Sequence, residues 1–262
     1  RCIDCGFILS EETISWPSCK PLQRELIRTP ETTSQPLSRN KQSFMLNGGS
    51  GTHMDAPSHF VPGGRTIDQL TTAELANVQL AVIDVRSDVA GNSDYACTVQ
   101  MVFEDEKRNG PIPHGSLVCL RTGWAEERYN SPGYLNVTDP QDIHAEYNLP
   151  RMHFPGFSVE AATLLVEERS VVGIGIDTVS PDPGASSGFG VHHSVLGKDR
   201  YILENLLLTD EVPARGAHAF VAPLNIAGAP ETPVRVWVMA DSCVPQPGTD
   251  QPVAGTKRAK AS

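Results

Sequence analysis

No stretch of this 262-residue sequence stays apolar over the ~20 residues a bilayer crossing needs, which excludes a helical membrane span. Its longest apolar runs, Leu80-Ala81-Val82-Ile83 and Val171-Val172-Gly173-Ile174-Gly175-Ile176, have the length of buried strands. Basic residues are scarce as well. Lys and Arg number 21 against 31 Asp and Glu, a formal charge of −10, and the only basic cluster, Lys257-Arg258-Ala259-Lys260, sits in a terminal tail. Polyanions reward clustered cations, so nucleic acid and anionic membrane surfaces are excluded as partners. Six cysteines are present, but only Cys2 and Cys5 form a CxxC pair, with no second pair or matching histidines to complete a structural zinc site. That pair lies in the apolar run 2–9, so it reads as buried strand cysteines and not as a redox couple. The wide scatter of the cysteines suits a reducing, cytoplasmic setting. The chain opens on Arg1 and not on Met, which leaves a preceding targeting segment open. There is no GxSxG elbow and no cysteine in a local catalytic context, which argues against a nucleophilic hydrolase. Gly173-Ile174-Gly175 lacks the third glycine of a dinucleotide loop.

What is present is ordinary globular composition, 39% apolar and 20% charged, with interleaved strand and helix signals. Residues 80–85, 116–121, 171–176 and 234–239 are short β-branched runs, and residues 2–9 also read as a strand. Residues 157–168 carry the clearest helical pattern, and 66–75 contain a short helix or turn. The class is therefore α/β, parsed as one domain over 1–245 followed by a disordered polar tail at 246–262. Residues 10–40 form a polar, Pro- and Thr-rich segment without sustained periodicity, a candidate lid or oligomer arm. Trp16 near its start is read as a pocket wall or a packing residue.

Chemistry concentrates in Gly51-Thr52-His53-Met54-Asp55-Ala56-Pro57-Ser58-His59-Phe60. Residues two apart on an extended segment point the same way, so His53 and Asp55 can reach one metal ion, while upstream glycines permit a tight turn and Pro57 stiffens the exit. The plainer reading is a hydrogen-bonding loop without metal. A second segment, His192-His193 followed by Glu204-Asn205-Leu206, could complete such a shell, although Glu204 alone reads equally as a capping or salt-bridging carboxylate. Asp177 and Ser180, at a strand end, read as structural.

Together the two segments resemble the cyclase-like metal-dependent hydrolases that include bacterial kynurenine formamidase and isatin hydrolase. That family is marked by HxGTHxDxPxHF, which Ser50 to Phe60 match at every position after the first His, and by a His twelve residues before a Glu-Asn-Leu, as in His192 and Glu204. Arg121-Thr122-Gly123-Trp124, Phe154-Pro155-Gly156 and Gly175-Ile176-Asp177-Thr178-Val179-Ser180-Pro181-Asp182 are similar to further family stretches, in the same order. The resemblance implies a single swivelling β/β/α domain around a central barrel-like sheet, assembled as a homodimer or homotetramer. It implies a divalent metal, Mn or Zn, held by His53, Asp55, His192 and Glu204. His59 is then the proton shuttle, or a ligand in a remodelled site, and Trp16, Phe60 and His193 contact a small-molecule substrate. The reaction implied is hydrolysis of a C–N amide bond in an aryl formamide or cyclic amide. Alternatives are a polyketide-like cyclase or dehydratase on the same metal, or an impaired relative that only binds ligands. One departure is plain: Gly49 stands where the family has its first His. This leaves open a single metal, a second one held more weakly, a substitute ligand such as Asn47, or lost activity.

Overall fold

The computed structural model describes residues 1–29, 39–144, 149–186 and 188–240. Seven strands close into a barrel in the order His53–Asp55, Tyr201–Glu204, Gly173–Ile176, Leu117–Arg121, Ala76–Asp84, Ala217–Pro223 and Glu231–Ala240, the last pairing back onto His53–Asp55. Cys2–Asp4 adds outside the ring, antiparallel to Glu231–Ala240. The four strands from Ala76–Asp84 to Tyr201–Glu204 run parallel. Parallel neighbours need crossovers, and these carry the helices Val99–Asn109, Val159–Glu167 and Gly190–Leu196. The other ladders are antiparallel.

Strand alternation separates two cores. Leu80, Val82, Leu117, Cys119 and Leu203 pack inside the barrel, while Ala81, Ile83, Val118, Leu120, Ile174 and Ile202 face outward beneath the helices. Ser158 caps the Val159–Glu167 helix by accepting from Ala161 N–H at 3.1 Å, and Ala161, Ala162 and Leu165 make its buried stripe. The Gly173–Ile176 strand puts Gly173 and Gly175 on its inner side. A Cβ at Gly175 would stand 2.8 Å from Cys119 Sγ and 2.7 Å from Leu206 Cδ1, so the narrow lumen admits hydrogen atoms only.

Two expectations need correction, and one helix has no counterpart in the sequence reading. The residues 10–40 segment is not simply loop: Gln23–Thr29 pairs with Arg39–Met45 as a two-stranded antiparallel ribbon. Leu26, Ile27, Phe44 and Met45 on it are exposed, and a ribbon with no buried face leaves no alternation to read. The first strand covers only Cys2–Asp4, and of its cysteine pair Cys5 is buried but Cys2 is exposed. The Val99–Asn109 helix went unread because its inner face carries Asp105, buried in an ion pair with Arg215. The tail assigned to 246–262 lies outside the described residues. No helix among the described residues is long and apolar enough to cross a membrane.

The lumen predicts a stability effect. Gly173→Ala would put a Cβ 2.5 Å from Tyr201 Cε2 and 2.7 Å from the Tyr201 carbonyl oxygen, against a backbone that cannot yield. A loss of about 1–3 kcal/mol in urea unfolding is expected, and an unchanged midpoint would refute the tight contact.

Candidate metal centre

The site is built on the outer face of the barrel, where the His53–Asp55 strand lies between two antiparallel partners. His53 pairs with Glu204 on one side, and Asp55 pairs with Glu231 on the other. Residues directly opposite in a ladder share a face, and so do residues two apart in a strand. All four side chains therefore project together, while Met54 between them enters the lumen core. Gly51 turns the chain into this strand at a left-handed φ of 64°, and its carbonyl oxygen lies 2.9 Å from His53 Nδ1. That contact aims Nε2 at the carboxylates, 3.1 Å from Glu204 Oε2 and 3.7 Å from Asp55 Oδ1. Asn205, left-handed at φ 56°, anchors the neighbouring strand end: its side-chain amide donates to Gly51 O at 2.8 Å, and its carbonyl accepts from Thr52 Oγ1 at 2.6 Å.

His192 arrives from the Gly190–Leu196 helix. Asp182 fixes it, accepting from Val191 N–H at 2.7 Å and sitting 2.6 Å from His192 Nδ1. The other nitrogen then faces Glu204 Oε1 at 3.2 Å and Asp55 Oδ2 at 3.5 Å. This carboxylate behind an imidazole is the arrangement that orients metal-bound histidines. His59 ends the 3-10 turn Pro57–His59 at the cavity rim, with Nδ1 4.0 Å from Glu231 Oε2.

Two groups of ligand atoms lie close enough to share an ion: His53, Asp55 and Glu204, and Asp55, His59 and His192. Asp55 belongs to both. The donor set fits a cation on a further ground. Both Asp55 oxygens and Glu204 Oε1 are buried without a hydrogen-bond partner among the described residues, a cost that native structures seldom leave uncompensated. Mixed imidazole and carboxylate donors suit a divalent metal ion.

Without a cation the cluster is held by protons. Burial alone would lower the His53 pKa, but the Glu204 carboxylate, then Asp55, outweigh it and push it up to about 10. His192 is likewise raised against burial by Asp182, Asp55 and Glu204. Burial would raise the Asp55 carboxyl, yet the imidazoles of His192 and His53 bring it below the ordinary carboxylate value. Glu231 moves the other way, raised by burial and then by the Asp55 charge.

A cavity of about 230 Å³ opens over these groups, walled by Trp16, Phe60 and Phe189 and floored by Asp55, His192 and Glu204. Trp16 and Phe189 lie 5.8 Å apart and Phe60 and Phe189 5.2 Å apart, ring centre to ring centre. His193 is not among the lining residues: it is exposed and meets the edge of Phe60 at 5.1 Å. Asn47 does not line the cavity either. Ser180 does, whereas Asp177 sits below it, accepting from Thr122 N–H, Thr122 Oγ1 and Gly123 N–H to tie two strand ends together. Sequence reasoning missed Glu231, Asp182 as the His192 partner, and Phe189. Asp182 closes the stretch Gly175 to Asp182, but nothing in the spacing pairs it with His192.

The sequence pattern of the family described as putative cyclase matches residues 3–183. An isatin hydrolase of Roseibium aggregatum is 28% identical over 205 residues, 75% of this chain and 73% of that protein. A kynurenine formamidase of Salinibacter ruber is 26% identical over 239 residues, 89% of this chain and 94% of the other. The solved isatin hydrolase A from Ralstonia solanacearum superposes with a TM-score of 0.79 at 30% identity, over 92% of each chain. The family match spans well over half of the sequence and includes the whole of residues 51–60, and the chain accordingly belongs to the cyclase family.

Proposed function

We propose that this protein is a metal-dependent hydrolase of a C–N amide bond in an aryl formamide or a cyclic aryl amide. The observation that carries the reading is a wall of Trp16, Phe60 and Phe189 facing a buried cluster whose carboxylate oxygens lack partners. An aromatic ring is held by such a wall, and an amide beside it would meet the His53, Asp55, His192 and Glu204 donor set. The isatin hydrolase and kynurenine formamidase relatives support the same reaction class over a cyclase or dehydratase.

A divalent ion in that set, Mn or Zn, supplies Lewis acidity, making water nucleophilic near neutral pH and polarising the carbonyl. The protein's own groups do the rest. Water adds to the carbonyl carbon, the C–N bond breaks, and the proton released by water passes to the departing nitrogen. His59 stands at the rim between cluster and cavity, where an imidazole can take that proton and return it. Asp182 and the Gly51 carbonyl hold the two buried imidazoles, so their cavity-facing nitrogens stay presented. Buried thiols at Cys5, Cys97 and Cys119 support a cytoplasmic setting. The exposed apolar side chains of the Gln23–Thr29 and Arg39–Met45 ribbon support assembly with a second copy into a dimer or tetramer.

Protein purified without added metal should carry about one or two equivalents of Mn or Zn by elemental analysis, and His53→Ala and Glu204→Ala should each lower that content. Parallel assays on N-formylkynurenine and isatin should give turnover with at least one; wild-type protein that neither holds nor binds these ions would end the hydrolase reading. His59→Ala should cut turnover about a hundredfold to ten-thousandfold with metal retained. Unchanged turnover would exclude the shuttle, and lost metal would make His59 a ligand. Leu26→Asp with Phe44→Asp, on one face of the ribbon, should dissociate the assembly in light scattering; an intact assembly would exclude the ribbon as its interface.

A further inference from the structure

Gly49 leaves a gap where a histidine is expected, and another side chain enters it. A Cβ on Gly49 would lie 2.9 Å from Glu231 Oε2 and 3.5 Å from His53 Nε2, and one on Gly48 would lie 2.6 Å from both Glu231 Cγ and the Glu231 carbonyl oxygen. The Glu231 side chain therefore crosses bare backbone at 48 and 49, a path that two adjacent glycines leave clear. The ladders determine where it ends. As the partner of Asp55 on the edge opposite Glu204, Glu231 projects on the same face as the donor set and lines the same cavity. No hydrogen bond holds its carboxylate among the described residues, and the His59 imidazole stands 4.0 Å from it. A partly buried carboxylate without a hydrogen bond among the described residues, aimed across a glycine into a cluster of imidazoles and carboxylates, is arranged to meet a cation.

We infer that Glu231 replaces the absent imidazole of position 49 as an oxygen ligand to the metal. The inference rests on the metal reading above and extends it. The exchange keeps the number of donor side chains, but it substitutes an anionic oxygen for a neutral nitrogen. Oxygen-rich sites favour harder ions, so the substitution tilts this chain toward Mn relative to a site with histidine at 49. Gly48 and Gly49 are the counterpart of that choice, since a side chain at either would displace Glu231.

Glu231→Gln keeps the shape and removes the charge. With Mn²⁺ alone as the probe, the electron paramagnetic resonance signal of free ion should report binding about tenfold weaker or more than in wild type, while Zn²⁺ binding by calorimetry falls less. The metal-free melting profile should not fall, because no hydrogen bond is lost. Gly49→His combined with Glu231→Ala should recover affinity that Glu231→Ala alone loses, and shift preference toward Zn²⁺. Equal Mn²⁺ affinity in Glu231→Gln and wild type would overturn the inference and leave the metal reading standing. So would a loss of turnover with Mn²⁺ affinity unchanged, which would make Glu231 a positioning group for His59. Wild-type protein that binds neither ion would overturn the metal reading and this inference together.

Discussion

Two antiparallel ladders meet on the three-residue strand His53–Asp55, one from Tyr201–Glu204 and one from Glu231–Ala240. They close the barrel, since without them the parallel strands on one side and the long antiparallel hairpin on the other would leave two open edges. They also set the register that brings Glu204 beside His53 and Glu231 beside Asp55. A slip of one residue in either ladder would send a carboxylate into the lumen and an apolar side chain, such as Leu203, onto the donor face. The apolar core inside the barrel thus fixes the polar cluster outside it. The site needs no loop to hold these side chains in place.

That placement is costly. Asp55 and Glu204 are removed from water, with both Asp55 oxygens and one Glu204 oxygen lacking a hydrogen bond among the described residues, and charged groups in such a setting are tolerated only with strong opposite charge nearby. In the metal-free protein the opposite charge comes from His53 and His192, whose raised pKa values reflect the same carboxylates. A divalent ion held here would compete with those protons for the same lone pairs. Its binding would release protons and strengthen as the solution becomes less acidic. The Gly51 and Asp182 contacts matter in both states, because each occupies the ring nitrogen that points away from the cluster.

Much of the cluster is legible in the sequence because its candidate ligands lie close together along the chain. His53, Asp55 and His59 fall in one short segment, and His192 stands one helix and one strand start before Glu204, so motif spacing reflects geometry directly. The β-branched strands were legible for a similar local reason: burial on both faces leaves continuous apolar runs. Long-range partners left no such signal. Glu231 reaches the site through strand pairing with a distant segment, and its own neighbourhood, Glu231-Thr232-Pro233, begins a strand read only from Val234 onward. Gly49 looked like a deficit because its meaning depends on that partner. His193, adjacent to His192, reads as a site residue in the sequence, but one step along a helix turns a side chain by about 100° and places it on the outer surface.

The aromatic wall couples substrate to ligand geometry. Phe60 follows His59 directly, and its ring lies 4.6 Å from that of His192, while Phe189 immediately precedes the helix that carries His192 and packs 5.4 Å from the same imidazole. A ring bound among Trp16, Phe60 and Phe189 therefore presses on the elements that present His59 and His192. Trp16 comes from the N-terminal segment, outside the barrel, where sequence can change without disturbing either ladder. The shape of the cavity can then vary through Trp16 and Phe189 while the register that assembles the cluster stays fixed. The chemistry and its specificity occupy one cavity but depend on different parts of the fold.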